Sequence, residues 1–400
     1  MSMNITFPNG LSTEEFLRDY WQKQPLYIPA AINDFQDPLE PEELAGLACE
    51  DEIAARIILN KDDNDWQVRH NPFTEDDFTS LPATHWTVLV QDLNKHIGEL
   101  DLLLDAFSFL PAWRIDDVMV SYAAPHGGVG PHTDQYDVFL LQGMGTRRWQ
   151  INNPKDSSAK EDQKLVEGID LRILENFQPE QEFLLQPGDM LYLPPGVQHY
   201  GVSDKPCMTY SVGLRAPTQL ELLGDYIDQC TLQQNNESEL RYRDPVLQNK
   251  NNSGEITPDA IKNITALIKN IPTDDADIKK WFGQFITSTH HNLSGIPLKP
   301  MEATDYFLQR IQQGETLYRN IASRFAYIEN TNSTDIYIDS TTITLTDETA
   351  QLAKTICNHR QLTTNELSNY LENPDCLNLL AAWYEIGLLE FPETEDDNDD

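Results

Sequence analysis

The residues best suited to chemistry lie in one stretch, GGVGPHTDQYDVFLLQGMGTRRWQI, over residues 127–151. It contains His132-Thr133-Asp134. On a strand, residues two apart project from the same face. An imidazole and a carboxylate can therefore meet at a single point. His199 follows 65 residues after Asp134, just beyond the turn Pro194-Pro195-Gly196. If a barrel brings the three together, two histidines and one carboxylate occupy one face of a metal ion. That donor set suits Fe(II) and leaves three positions for a cosubstrate and O₂. His126, on the same approach, is the nearest rival ligand; the other histidines read as surface or core residues. Arg147 and Arg148 are adjacent, so alternation turns one inward, toward an anionic cosubstrate, and the other out.

The elements that must position these groups are short strands. From residue 55 to 215, β-branched and aromatic runs alternate with Gly, Pro, Asn and Asp. Strands are expected at Arg56–Leu59, Trp66–His70, Trp86–Gln91, Val118–Ala123, Val138–Gln142, Arg147–Ile151, Glu182–Leu185, Met190–Leu193 and Met208–Leu214. One helix is expected from Leu93 to Phe107. This pattern reads as a β-sandwich or barrel, not as alternating βαβ units. A helix over Leu11–Gln24, capped by Ser12 or Thr13, and another over Glu42–Cys49 precede the strands.

Beyond Ala216-Pro217 the pattern turns helical, with runs at Leu220–Leu232, Pro258–Asn270 and Ala276–Thr287. Residues 233–255 are polar and Asn-rich and read as a connection. Apolar helix faces with no sheet of their own suit a second copy, so a homodimer is expected. From 301 to 391 the order is helix, short strands, helices, strand, which suits a winged helix. Residues 393–400 carry six acids and read as a disordered tail. The expected organisation is therefore α+β: a barrel over 1–216, a helical dimerisation segment over 217–300, a winged-helix-like domain over 301–391, and an acidic tail over 392–400.

Charge and composition narrow the function. The 400 residues hold 28 Lys plus Arg against 65 Asp plus Glu, a net charge of −37. Such a chain does not grip nucleic acid or an anionic membrane through its overall field; a basic partner suits it. Residues 301–400 alone carry a net −14, which argues against a DNA-binding role for the winged helix. Five cysteines without a C-x-x-C read as reduced thiols. Neither a signal peptide nor an apolar run long enough to span a membrane is evident, so a cytoplasmic protein is expected.

Several blocks resemble the bacterial Jumonji-C-type ribosomal oxygenases: WQKQPL at 21–26, GVGPHTDQYDVFLLQ at 128–142, RRW at 147–149, PGDMLYLPP at 187–195 with His199, and YSVGLRAP at 210–217. The resemblance covers the whole chain. It implies a cupin-like double-stranded β-helix, a helical dimerisation segment and a winged helix. It also implies a 2-oxoglutarate- and Fe(II)-dependent oxygenase that hydroxylates an arginine side-chain carbon of large-subunit ribosomal protein sixteen. On the matching positions, His132, Asp134 and His199 would be the iron ligands. Arg147 would pair with the distal carboxylate of 2-oxoglutarate, with the Ser121 hydroxyl near it. Asp137 and Tyr136 would be acceptors for the substrate guanidinium, although regular alternation puts Asp137 on the face opposite Asp134, where a structural carboxylate fits equally well. Two other readings remain: a cupin barrel with another metal and chemistry, such as a zinc-dependent hydrolase or isomerase, and a winged-helix adaptor whose barrel senses a ligand.

Overall fold

A computed structural model describes residues 4–60, 65–153, 164–233, 241–244, 256–271, 273–288 and 304–392. The acidic tail at 393–400 and most of the connection at 233–255 lie outside the described residues. Twelve strands build the N-terminal part: β1 (Leu26–Ile28), β2 (Ala55–Asn60), β3 (Trp66–His70), β4 (Trp86–Val90), β5 (Ile115–Ala123), β6 (His132–Thr133), β7 (Val138–Gln142), β8 (Arg147–Asn152), β9 (Gln181–Leu185), β10 (Met190–Leu193), β11 (Gln198–Ser203) and β12 (Cys207–Leu214). They form an eight-stranded sheet in the order β1-β10-β7-β12-β5-β4-β2-β3 and a four-stranded sheet in the order β6-β11-β8-β9. Every pairing is antiparallel. This is the two-sheet barrel that the run of short strands implied.

The alternation along β5 explains which face does what. Val118 and Val120 enter the main apolar core, shared with Phe7, Phe16, Phe107, Phe139 and Tyr192. Ser121, one residue out of phase, turns the other way, and its hydroxyl meets Arg147 of the smaller sheet. The outer face of the large sheet is thus sealed by N-terminal helices, and the inner face is free to hold polar groups. Phe16 anchors the seal. It sits on the helix Thr13–Asp19, which Ser12 caps through a reciprocal pair with Glu15. Its ring lies 5.1 Å from that of Tyr192 and 6.0 Å from that of Phe139.

The helix expected over Leu93–Phe107 is instead three short pieces, Leu93–Lys95, Gly98–Leu103 and Leu104–Phe107. Asp92 enters with a left-handed φ of 58° and Ile97 is extended, so no continuous ladder can form. The first helix likewise ends at Asp19, short of Gln24.

The chain divides into two compact units, and not at all of the expected borders. One unit holds residues 1–216, 293–323 and 352–400; the other holds 217–292 and 324–351. Residues 301–391 are therefore shared between them. The three-stranded meander Phe325–Glu329, Thr334–Ile338 and Thr341–Leu345 belongs with the helix Asp275–Thr287. The reason is a close approach: a Cβ on Gly283 would stand 2.3 Å from the Tyr337 ring. In the first unit, strands Leu317–Arg319, Gln361–Leu362 and Leu389–Glu390 form a second small sheet. There Arg360 reaches the barrel side, with Nε donating to Asp101 at 2.9 Å and Nη1 to Asp105 at 3.3 Å. Among the described residues no helix is long and apolar enough to cross a membrane.

Replacing Phe16 by Ala should remove about 3–5 kcal/mol of stability by opening a cavity at the aromatic centre. Urea unfolding should record it as a lower midpoint with the slope unchanged.

Candidate metal and cosubstrate site

Strand register brings the three predicted ligands together. His199 on β11 faces His132 on β6 as a direct antiparallel pair, with ring centroids 4.2 Å apart. Asp134 follows β6, and its backbone carbonyl accepts from Gly196 N at 2.8 Å. That bond ties the Pro194–Gly196 turn to the carboxylate. Asp134 lies 3.9 Å from His132 Nε2 and 3.6 Å from His199 Nε2, and the ligand atoms of all three lie within 4.8 Å of one another. The two histidine–aspartate distances are too long for hydrogen bonds. They do fit around one ion, because two ligands each ~2.1 Å from a metal stand at most about 4.2 Å apart.

Each imidazole is already oriented. His132 Nδ1 lies 2.9 Å from Gly130 O, and His199 Nδ1 lies 3.0 Å from Val197 O. A carbonyl can only accept, so both Nδ1 atoms carry the proton and both Nε2 lone pairs point to the shared centre. Gly130 makes this possible with φ at +81°, and a Cβ there would meet Ile173 at 2.7 Å. Burial, then the neighbouring His132, lower the His199 pKa to about 4. The ring is thereby held neutral and ready to ligate. His126, the rival ligand, is not part of the cluster; its ring stacks 5.1 Å from His85.

Arg147 turns inward and Arg148 outward, as alternation on β8 requires. Arg148 pairs with Glu182 and, at 3.0 Å, with Asp204. Arg147 is 2% exposed and, among the described residues, meets no carboxylate. Nη1 donates to Ser121 Oγ at 3.1 Å and to Thr209 Oγ1 at 3.3 Å; Nη2 donates to Gly201 O at 3.4 Å. Its Nε has no partner. Burial disfavours its charged form. An unpaired buried cation with an orphaned N–H fits a missing anion. Thr209 and Gln142 were not singled out in the sequence. Gln142 donates to the carbonyls of Met144 and Met208 and accepts from Thr209 at 3.3 Å, so the Thr209 hydroxyl is left to accept from Arg147. Thr209 on β12 stands opposite Ser121 and opposite Gln142 on β7, a row of polar residues inside apolar strands that was the available signal.

Asp137 is not a free acceptor for substrate. It is fully buried, and it accepts from Tyr192 at 2.7 Å, Gln22 at 3.0 Å and Arg114 at 3.1 Å. It holds the fold together. Tyr136, by contrast, is 42% exposed. Desolvation and the neighbouring Asp134 and Asp117 carboxylates raise its pKa. Asp117 was missed in the sequence. Burial, with Asp92 and Asp116 nearby, pushes it up to about 7. It sits opposite Gly213 in the β5–β12 register, and Tyr136 approaches the same glycine. A carboxyl under that strain gains by accepting a cation.

A two-histidine, one-carboxylate centre in a double-stranded β-helix, with an arginine awaiting an anion, defines a JmjC-type oxygenase. Known proteins agree. Residues 102–222 match the JmjC domain family and 266–390 the ROXA-like winged helix. The chain is 34% identical over 380 residues to the ribosomal protein uL16 3-hydroxylase of Escherichia coli strain K12, covering 94% of this chain and 97% of that protein. It superposes on the solved structure of E. coli YcfD with a TM-score of 0.81 at 33% identity, covering 98% of this chain and all of the other. A further structure of YcfD, described as a ribosomal oxygenase in complex with cobalt and 2-oxoglutarate, matches with a TM-score of 0.78 at 32% identity, over 98% of this chain and 100% of that one. The chain belongs to the JmjC-type ribosomal oxygenases.

The lowered pKa of His199 gives a signed expectation for the metal-free protein. Between pH 6.5 and 4 the unfolded chain binds a proton at this position that the folded chain refuses. Stability from this group is complete above pH 6.5 and is lost as pH falls toward 4, by about 3 kcal/mol. His199→Asn should therefore show a shallower loss of stability across that window than the parent, measured by urea unfolding at each pH.

Proposed function

We propose that this protein is a 2-oxoglutarate- and Fe(II)-dependent dioxygenase that hydroxylates an arginine side-chain carbon of large-subunit ribosomal protein sixteen, using O₂, in the cytoplasm. His132, Asp134 and His199 hold the metal, and Arg147 with Ser121 receives the distal carboxylate of 2-oxoglutarate. The observation that carries this reading is the buried guanidinium of Arg147, on the strand beside that of His199 and, among the described residues, without a carboxylate partner. A zinc hydrolase has no use for such a cation.

With metal and cosubstrate bound, the centre supplies the oxidising power to put one oxygen atom of O₂ into an unactivated C–H bond, while 2-oxoglutarate leaves as succinate and CO₂. The chain's own part is geometric and electrostatic. The Nδ1 contacts to Gly130 and Val197 fix the imidazoles. Arg147 aligns the cosubstrate by a charge-assisted pair, and the apolar cluster of Val138, Leu140, Trp149, Ile151 and Leu185 excludes water behind it. At the mouth, Asp117 and Tyr136 offer a carboxyl and an aromatic face to a guanidinium. An acidic rim and a net charge of −37 favour encounter with a basic ribosomal protein.

The helices of the second unit support a homodimer. Leu220, Leu223 and Ile227 form one exposed stripe, and Ile261, Ile264 and Ile268 another. Both have the spacing of a buried helix face. Light scattering should give a dimer at micromolar concentration, and Leu223→Asp with Ile264→Asp should give monomers.

The decisive measurement is mass spectrometry of a peptide from ribosomal protein sixteen after incubation with iron, 2-oxoglutarate and O₂. The peptide should gain one oxygen on arginine, at a rate that falls as salt screens charge over ~8–10 Å. Asp134→Ala should abolish succinate formation while the unfolding midpoint stays near the parent's. Arg147→Ala should raise the 2-oxoglutarate requirement by about a hundredfold or more, the scale of a broken buried charge pair. An inert basic peptide beside a modified acidic one would remove the substrate assignment and leave the oxygenase reading standing.

A further inference from the structure

Trp149 lies two residues after Arg147 on β8, so both project inward from the same face of the strand. The guanidinium carbon of Arg147 stands over the indole, 5.0 Å from the ring centre. Trp149 is 3% exposed, so this contact is desolvated, the condition under which a cation gains most from an aromatic face. The same indole lies 5.9 Å, centre to centre, from the ring of His199. One side chain therefore borders both the cation and the metal ligands.

The indole can lie there because of Gly201. This residue is directly opposite Trp149 in the β8–β11 register. A Cβ built on it would stand 2.7 Å from Cη2 and Cζ3 of the indole and 2.8 Å from Nε of Arg147. All three atoms belong to packed side chains, so any residue larger than glycine must displace the indole or the guanidinium. The carbonyl of Gly201 also accepts from Arg147 Nη2.

We propose that Trp149 is a positioning residue of the cosubstrate subsite, its aromatic face holding the Arg147 guanidinium in the orientation that receives a carboxylate, and that Gly201 is the gap that admits it. The proposal rests on the reading of Arg147 as the 2-oxoglutarate anchor. Its physical basis is the weakness of the alternatives. The hydrogen bonds that Arg147 makes are 3.1 to 3.4 Å long, and all go to neutral oxygens. Hydroxyls and a carbonyl set the guanidinium's edge, and the indole is what sets the tilt of its plane. Without that face the guanidinium rotates among several poses, and a carboxylate must select one of them on binding.

The test uses the full chain loaded with Co²⁺ in the absence of O₂. Metal binding is read from the cobalt absorption spectrum and 2-oxoglutarate binding from titration calorimetry. Trp149→Leu should weaken 2-oxoglutarate binding by about tenfold, a loss on the scale of one desolvated cation–aromatic contact. Cobalt affinity should stay near the parent's, while the unfolding midpoint falls as for any large-to-small core change, so binding is read well below it. Trp149→Phe, which keeps an aromatic face, should bind 2-oxoglutarate nearly as the parent does. Gly201→Ala should behave like Trp149→Leu. In turnover the loss should appear in KM for 2-oxoglutarate and leave kcat close to the parent's. Trp149→Leu with unchanged 2-oxoglutarate affinity overturns the proposal. So does Trp149→Phe as weak as Trp149→Leu, which assigns the effect to the indole N–H. Loss of cobalt affinity alongside that of 2-oxoglutarate also overturns it, because the role is then structural. Arg147→Ala with parental 2-oxoglutarate affinity removes the underlying reading instead.

Discussion

A buried positive charge with no negative partner among the described residues is the constraint around which this barrel is organised. Placing a guanidinium at 2% exposure without a carboxylate is unfavourable, and a chain tolerates it only where the surroundings hold the group fast. Both sheets contribute to that hold. Ser121 and Thr209 come from the large sheet, and Gly201 and Trp149 from the small one. The two sheets are therefore joined at their centre by a cation that lacks its counter-charge. On the proposed function, the distal carboxylate of 2-oxoglutarate supplies that charge, and a monocarboxylate, which cannot reach the metal and also neutralise Arg147, binds less well.

The cluster of His132, Asp134 and His199 is fixed in the opposite way. Their orientation is fixed by short-range backbone contacts two residues away, Gly130 O for His132 and Val197 O for His199. These contacts depend on local chain geometry, which a run such as Gly-Pro-His-Thr-Asp writes directly into the sequence. The H-x-D spacing, the Pro-Pro-Gly turn before His199 and the opposite facing of Arg147 and Arg148 were legible for this reason. So was the series of short strands, because each carries its own alternation. What was not legible depends on partners far away in the chain. Nothing local to Asp137 says that Gln22, Arg114 and Tyr192 converge on it. Nothing local to Asp117 says that it is buried beside Tyr136. The helix expected over 93–107 is broken because Asp92 adopts a left-handed backbone, which periodicity does not register. The sharing of residues 301–391 between two units turns on Gly283 receiving the Tyr337 ring, a contact between segments 54 residues apart.

Acidity works at two ranges. The net charge of −37 acts at a distance, raises encounter with basic partners and is screened by salt. Asp117, pushed up to about 7 by burial and by its acidic neighbours, acts only at contact. On the proposed function, a substrate guanidinium settling beside Asp117 returns the carboxyl to its charged form, so substrate binding and release of a proton are linked.

The clamp between Arg360 and the pair Asp101 and Asp105 has a consequence for the birth of the molecule. The two bonds span 259 and 255 residues, and Asp101 is 8% exposed, with burial raising its pKa. While the chain is being made, the barrel strands leave the synthesis machinery long before residue 360 does. During that interval Asp101 has no arginine to meet. Until then Asp101 and Asp105 keep their charges in water, and the two bonds that tie segment 98–107 to residue 360 form last. A product cut short before residue 360 lacks both of them.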